Sequence, residues 1–529
     1  MRPWELPQRV GALLRAGLMD PLRPDDGLRM LLAVRTLGPL AGPARVIARR
    51  RPDTPALVDE RGTLSYGDLD RRSNALARAW AGAGLGADAV IAVLCRDHRG
   101  LIDCLLAGAK LGARMLLLNT GFGAKQLADV AERENVSALV HDAEFTELLR
   151  SVDEEIPRYL GWTDEPAQRS LDRLIEASDG ADRPDPSSAG SLILLTSGTT
   201  GTPKGAARQV RSVFGVTHFV ERVPWRAREA TFIGTPVFHA TGLSHLILAF
   251  ALGSTVVVGR RFDPEQTLRM VWENRCTGLV LVPTMLRRIL ELPRETLDHY
   301  DTSRLRIILT AGSALTPDVC ERTAEAFGEV LYNLYGSTEV AVATVATPAE
   351  LRSAPGTVGK PPRGCVVRLF DDKDRPITRT GVSGRIFVGS ELAFGGYSGG
   401  GDGDRLRGML ASGDLGHFDT AGRLFVDGRD DDMIVSGGEN VFPGEIENLL
   451  LGREDVRDAA VVGVPDEDFG QRLKAFVVRG EDSTLDEDTV RDYVKANLAR
   501  YKVPREVVFL DELPHNQTGK VLRKELIEG

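Results

Sequence analysis

Residues 191–205 constrain the fold more than any other stretch, because an unbroken apolar run, SLILL, passes directly into TSGTTGTPKG. Five apolar or small residues without polar alternation suit a strand covered on both faces, as in a parallel sheet packed between helices. The run after it carries three glycines (Gly198, Gly201, Gly205), four hydroxyl residues beyond Thr196 (Ser197, Thr199, Thr200, Thr202) and one cation, Lys204. Glycines let backbone N–H groups turn toward an anion, hydroxyls donate further bonds, and a lysine adds a point charge. The stretch therefore reads as a polyphosphate cradle at the end of a buried strand. It is not the Walker loop, which needs Gly-Lys followed directly by Ser or Thr. Here Pro203 precedes the lysine and Gly205 follows it.

Strand and helix patterns alternate on both sides of that cradle. Short apolar runs at 89–94, 114–118 and 137–140 are separated by helical stretches such as 101–111, and a second set follows at 255–258, 279–282 and 305–310. This alternation is the mark of doubly wound α/β sheets. The segment TLSYGDL, 63–69, is expected to open a helix, with Leu69, Leu76 and Trp80 on one face. A further helix is expected at 317–327, capped by Thr316 with Pro317 in its first turn. From about 356 to 427 short strands and turns (VVRLFDD, GRIFVG, GRLFVDG) imply a small β-barrel or sheet. Beyond them lies a compact α+β unit of about 100 residues.

A chain of 529 residues exceeds what one core holds, so several domains are required. The expected divisions are 1–51, a basic extension; 52–428, a large domain; 429–432, a hinge; and 433–529, a small terminal domain. Net charge is −9, which gives no basis for nucleic-acid binding. The five cysteines show neither metal-ligand nor disulfide-framework spacing, as suits a reducing compartment. The first 51 residues carry ten arginines against four acids, a local net of +6. Their Arg-flanked apolar run RMLLAVRTLG, 29–38, either lies on a membrane surface or packs on its own domain. The amino terminus lacks the three-part pattern of a signal peptide, and a cytoplasmic protein, with or without peripheral contact at the inner membrane surface through residues 1–51, is the expectation.

Four further motifs follow the cradle: YGSTE at 335–339, SGD at 412–414, GRDDDMIVSGGENVFPGEIE at 428–447 and LPHNQTGKVLRKEL at 513–526. In this order, over nearly the whole chain, they resemble the adenylate-forming superfamily: acyl-CoA synthetases, aryl-CoA ligases, luciferases and the adenylation domains of peptide synthetases. The resemblance implies ATP, Mg2+ and coenzyme A as cofactors. Phosphates would be held by Thr196, Ser197, Gly198, Thr199, Thr200, Gly201 and Lys204. Adenine would meet Gly312, Ser313 and Ala314 of AGSAL together with Tyr335, Gly336 and Ser337. Thr338 would meet the α-phosphate, and Glu339 with the Thr196 hydroxyl would hold the metal, since Mg2+ wants one or two protein oxygens beside phosphate and water. Asp414 and Arg429 would hold the ribose. Asp431 would be the hinge, Ser436, Gly437, Gly438 and Glu439 would face the pantetheine arm, and Lys520 would be the adenylation lysine. The sequence departs from the family in two places: SGD replaces the usual Thr-Gly-Asp, and Met409 stands where an aromatic residue is usual.

Residues 238–242, FHATG, stand where peptide-synthetase domains usually carry an aspartate for the substrate ammonium, and a buried ammonium without a partner is costly. An amino acid is thereby disfavoured. The other pocket segments, LVPTM (281–285), AGSAL (311–315) and VAVAT (340–344), are small and uncharged. They suit an apolar carboxylic acid, with His239 gating or orienting the carboxylate. The expected activity is a fatty acyl-CoA synthetase, with an aryl-CoA ligase, or a fatty acyl-AMP ligase delivering to a carrier protein, as alternatives.

Overall fold

The computed structural model describes residues 6–19, 24–165, 167, 169–196, 204–208, 216–337, 340–390, 404–429, 433–436, 439–466, 470–480, 483–498, 500–516 and 519–528. The chain begins with α1 (Leu6–Ala16) and α2 (Pro24–Arg50). By length and composition the stretch Gly27–Arg50 is apolar enough to cross a bilayer. Gly38, at φ 78° and ψ 176°, breaks it into two arms. The arms fold back on each other: a methyl group on Gly42 would lie 2.5 Å from the Ala33 carbonyl oxygen, and Asp25 reaches Arg50 at 3.8 Å. The second arm buries Leu40, Ala41, Ala44 and Ala48 in the main core. Arg45 and Arg49 pair with Asp185 and Asp182, so part of the local positive charge is spent inside the fold. Leu28, Leu31 and Leu32 of the first arm stay exposed.

After β1 (Pro55–Asp59) comes β2 (Gly62–Ser65), antiparallel to it. Helix α3 (Tyr66–Gly82) begins only at Tyr66, so Thr63 and Leu64 are strand residues rather than the first turn of a helix. The reason is local: the Ser65 hydroxyl accepts from the Asp68 N–H while Asp68 accepts from the Ser65 N–H, a capping box that fixes the start.

A six-stranded sheet follows, built from β3 (Val90–Leu94), β4 (Arg114–Leu117), β5 (Ala138–Asp142), β6 (Arg158–Trp162), β7 (Ser191–Thr196) and β8 (Lys204–Arg208), in the order β6-β5-β3-β4-β7-β8. Helix α4 (Arg99–Leu111) crosses between β3 and β4. All but the last pairing are parallel. The second sheet takes β9 (Ala230–Ile233), β10 (Thr255–Val257), β11 (Gly278–Leu281), β12 (Ile307–Ala311), β13 (Leu331–Tyr335) and β14 (Thr344–Ala346), and returns to β1 and β2, in the order β14-β13-β12-β11-β9-β10-β1-β2. The helix Pro317–Phe327 has the expected bounds, although the Thr316 side chain makes no capping bond.

The two sheets share one core. Ile91 and Val93 of β3 point into it with α2, α3, α4 and the helix Ala240–Ala251, while Val90, Ala92 and Leu94 point the other way into a separate cluster. A strand five for five buried thus still obeys the two-residue period, because apolar layers cover both faces.

The seven strands β15 (Thr357–Gly359), β16 (Cys365–Phe370), β17 (Pro376–Ile377), β18 (Gly384–Ser390), β19 (Arg405–Leu406), β20 (Met409–Phe418) and β21 (Leu424–Arg429) form an antiparallel sheet. The terminal unit has its own five strands, β22 (Ile434–Ser436), β23 (Glu439–Val441), β24 (Val456–Asp466), β25 (Gly470–Arg479) and β26 (Glu506–Leu510), around a core that includes Ile446, Val461, Val477 and Val490. The fold is therefore α/β, a large domain of two doubly wound sheets with an attached antiparallel sheet, followed by a smaller α+β domain, as the sequence implied.

Candidate active site

Strands β13, β12, β11 and β9 are consecutive parallel neighbours, so their carboxyl ends lie side by side, the edge at which open α/β sheets bind ligands. Each end delivers one expected segment. After β9 come Phe238 and His239; after β11, residues 282–285; after β12, Gly312, Ser313 and Ala314; and at β13, Tyr335, Gly336 and Ser337. Gly312 takes φ +98°, a conformation glycine reaches freely. The Ser313 hydroxyl and the His239 Nε2 are both buried with no hydrogen-bond partner among the described residues. Burial pushes His239 down to about 4, so its imidazole is neutral at physiological pH.

The antiparallel sheet brings a second group to the same place. The Tyr335 hydroxyl donates to Asp414 Oδ2 at 2.5 Å, and Arg429 Nε stands 4.0 Å from Asp414 Oδ1. Asp414 and Arg429 are register partners on β20 and β21. Burial raises the Asp414 carboxyl above its usual range, opposed by the Tyr335 hydroxyl and by the positive charges of Arg429 and Lys520. Lys520, exposed on the turn before the helix Arg523–Glu528, is thus close enough for its charge to act on Asp414.

That proximity needs the terminal domain to sit over the large one. Gly519, at φ +73°, lies so close to Thr284 that an added methyl group would meet its Oγ1 at 2.3 Å. Thr284 belongs to the helix Pro283–Leu290, which starts at the end of β11. The turn bearing Lys520 therefore rests directly on the candidate pocket segment.

Of the residues expected to hold phosphate, Thr196 and Lys204 lie in described strands. Thr196 closes β7 and Lys204 opens β8, and the two are register partners in an antiparallel pairing. Lys204 is a strand residue rather than a loop residue. Ser197, Gly198, Thr199, Thr200 and Gly201 lie outside the described residues, as do Thr338, Glu339, Asp431, Gly437 and Gly438. Ser436 and Glu439 are register partners at the ends of β22 and β23.

Two features had no signal in the spacing of residues. The contact of Thr284 with Gly519 is one, because the two lie more than 200 positions apart and on opposite sides of the domain boundary, although the segment 281–285 itself was expected to line the pocket. The other lies after β3, where Cys95, His98 and Asp142 gather in the interior. There His98 Nδ1 accepts from the Gly100 N–H at 3.0 Å, which leaves Nε2 to donate to Asp142 Oδ1 at 2.8 Å. Both ring nitrogens are thus used in holding the start of α4, and the group is a structural latch.

Comparison with known proteins agrees with this geometry. The model of the AMP-binding enzyme family matches residues 45–398, and that of the AMP-binding enzyme C-terminal domain matches 445–520. An indoleacetate–CoA ligase of Aromatoleum aromaticum is 33% identical over 480 residues, covering 88% of this chain and 92% of the relative. A fatty acid–[acyl-carrier-protein] ligase, ScoC, of Streptomyces coeruleorubidus is 29% identical over 499 residues, covering 90% and 94%. Among solved structures, the o-succinylbenzoate CoA synthetase of Bacillus subtilis in complex with its acyl-adenylate intermediate superposes with a TM-score of 0.80 at 26% identity, covering 92% of this chain and 97% of that one. With paired family models spanning both domains, this chain belongs to the AMP-binding enzymes of the adenylate-forming superfamily.

Proposed function

We propose that the protein is an ATP-dependent acid–CoA ligase that activates an apolar, aromatic carboxylic acid. The observation that carries the reading is the convergence, at one sheet edge, of the Tyr335–Asp414–Arg429 group, the neutral His239 and the turn bearing Lys520. Asp414 is an acceptor suited to ribose hydroxyls, Tyr335 supplies a flat face for adenine, and Arg429 and Lys520 supply positive charge where phosphate would lie. These residues fit a nucleotide. Magnesium, held by Thr196 and Glu339, would draw charge off the phosphates.

In the first half-reaction the acid's carboxylate attacks the α-phosphorus, the α–β bridging bond breaks and pyrophosphate leaves. Two anions must meet, so the chain's part is positioning and positive charge, the work of Lys204, the loop amides and Lys520. In the second, a thiol sulfur attacks the acyl carbonyl and AMP departs. His239 is uncharged at neutral pH, so it steers a carboxylate by hydrogen bonding rather than as an imidazolium.

An aromatic acid is favoured over a fatty acid by the relatives: the indoleacetate and o-succinylbenzoate enzymes both act on ring-bearing acids. ScoC supports a second reading, a fatty acyl substrate passed to a carrier protein. A panel of aryl and alkyl acids assayed for pyrophosphate release, with and without coenzyme A, separates the two. The proposal expects faster turnover of arylacetic and benzoic-type acids and AMP release that depends on coenzyme A. Preference for alkyl acids, with AMP released only when a carrier protein is supplied, would replace it with the second reading.

A further inference from the structure

The carboxyl edges of the two large sheets are joined by a buried carboxylate. Asp97, three residues beyond β3, is 6% exposed, and its Oδ1 accepts from the Val237 N–H at 3.0 Å with Oδ2 at 3.3 Å from the same nitrogen. Val237 is in the other sheet's turn, between β9 and the helix Ala240–Ala251, two residues before His239. That turn is tightly wound. The His239 N–H donates to the Pro236 carbonyl at 2.9 Å, the Leu243 N–H donates to the His239 carbonyl at 3.0 Å, and a methyl group on Gly242 would stand 2.3 Å from the Pro236 oxygen. Moving Val237 therefore moves Phe238 and His239 with it. Asp97 is itself anchored, because the next residue, His98, caps α4 and is locked to Asp142.

We infer that Asp97 is a positioning residue for the acid end of the pocket: it holds the turn that aims Phe238 and His239, and so sets the affinity for the carboxylic acid. This rests on the ligase reading above.

Burial lifts the Asp97 carboxyl to about 7, with the Val237 N–H opposing and with further influence from Asp142 at the end of β5, Arg96 in its own segment and Glu60 between β1 and β2. The facing turn adds one titratable group, His239, which stays neutral down to about 4. A change near neutral pH therefore belongs to Asp97 and not to the histidine it positions. An N–H bond to an ionised carboxylate is stronger than one to a neutral acid, so the turn is held more firmly above that pH.

The test measures pyrophosphate release between pH 5.5 and 8.5, with acid and ATP varied separately. In the wild type the KM for the acid should fall as pH rises through about 7, an inflection that Asp97→Asn must remove while leaving the pH profile of the KM for ATP as it is in the wild type. Asp97→Asn keeps an acceptor oxygen but cannot ionise; its acid KM should lie within a few-fold of wild type and lose the inflection. Asp97→Ala should raise the acid KM about tenfold or more, the loss of one hydrogen bond to a charged group, and leave the ATP KM alone. Melting supplies a readout that needs no turnover. A carboxyl raised on folding contributes stability that is complete below its unfolded value and lost as pH rises through about 7. The Asn variant should accordingly gain more melting temperature over wild type at pH 8 than at pH 5. An Asn profile parallel to wild type, or equal changes in both KM values in the Ala variant, overturns the inference. If no acid is turned over by wild type the ligase reading fails instead, and the melting comparison still reports on Asp97: equal gains at pH 5 and pH 8 refute its buried titration.

Discussion

Asp414 works between two cations and a phenol, and its protonation state decides what it can accept. Burial raises its pKa, the Tyr335 hydroxyl, Arg429 and Lys520 pull it back, and the net direction is upward. Above that pKa the group is a carboxylate that only accepts, the form a ribose diol needs; below it one oxygen becomes a donor. The KM for ATP should therefore climb at the acid end of the pH profile, and Asp414→Asn should raise it where the wild-type group is ionised, by about tenfold or more for a lost bond to a charged acceptor, with the difference shrinking toward the acid end. Calorimetric titration with AMP checks both, and an Asn variant with wild-type affinity would remove Asp414 from the nucleotide site. These residues were legible from their motifs, since Tyr335, Asp414 and Arg429 stand in short patterns that occur in family order. Asp97 was not. In RDHRG it reads as a turn residue after a strand, and its meaning comes from Val237, 140 positions later, where a backbone N–H leaves no trace in the sequence.

At the scale of elements, the patterns that succeeded were those in which one strand carries its own signal. The apolar runs at 89–94, 279–282 and 305–310 are β3, β11 and β12 within two residues at either end. Those that failed depended on partners. Thr63 and Leu64 joined β1 because the capping box at Ser65 delayed the helix, and Lys204 joined a strand because β7 pairs back on β8. The same distinction separates two alanines expected to line the acid pocket. Ala314 is exposed after β12, whereas Ala341 is 9% exposed and sits at φ 63°, with its carbonyl oxygen 1.8 Å from where a methyl group on Gly336 would be. A non-glycine residue in that left-handed conformation is already strained. Ala314→Trp should narrow the range of accepted acids with little change in melting. Ala341→Trp should overpack and cost about 1–3 kcal/mol, seen as a lower melting temperature. A folded Ala314→Trp enzyme with an unaltered acid profile would place the substrate elsewhere.

At the scale of the whole molecule, the terminal domain rests on the large one with Lys520 near enough for its charge to act on Asp414, the arrangement expected for the first half-reaction. Contacts across the boundary among the described residues include Gly519 against Thr284, Arg287 Nη1 donating to the Arg457 carbonyl at 3.4 Å, and Gly428 so near Phe442 that a methyl group would lie 2.9 Å from its ring. Interfaces of this kind between domains open and close readily. The expectation that the domain turns about Asp431 once the adenylate is formed, withdrawing Lys520 and presenting the 436–439 segment to the thiol, can be tested at Gly519. Gly519→Ala adds a methyl group 2.3 Å from Thr284 Oγ1 at a backbone φ of +73°, so the closed arrangement must either shift or separate. Pyrophosphate release should fall, and Lys520→Ala should lower it about 10²-fold or more, the cost of one positioned electrostatic group. If the domain turns as expected, neither position faces the reacting atoms in the second half-reaction, so both variants should convert supplied acyl-adenylate and coenzyme A at nearly the wild-type rate. A methyl group at 519 that slows both halves equally would mean that a single domain arrangement serves the whole reaction, and the lysine would then have to be explained as part of one fixed site.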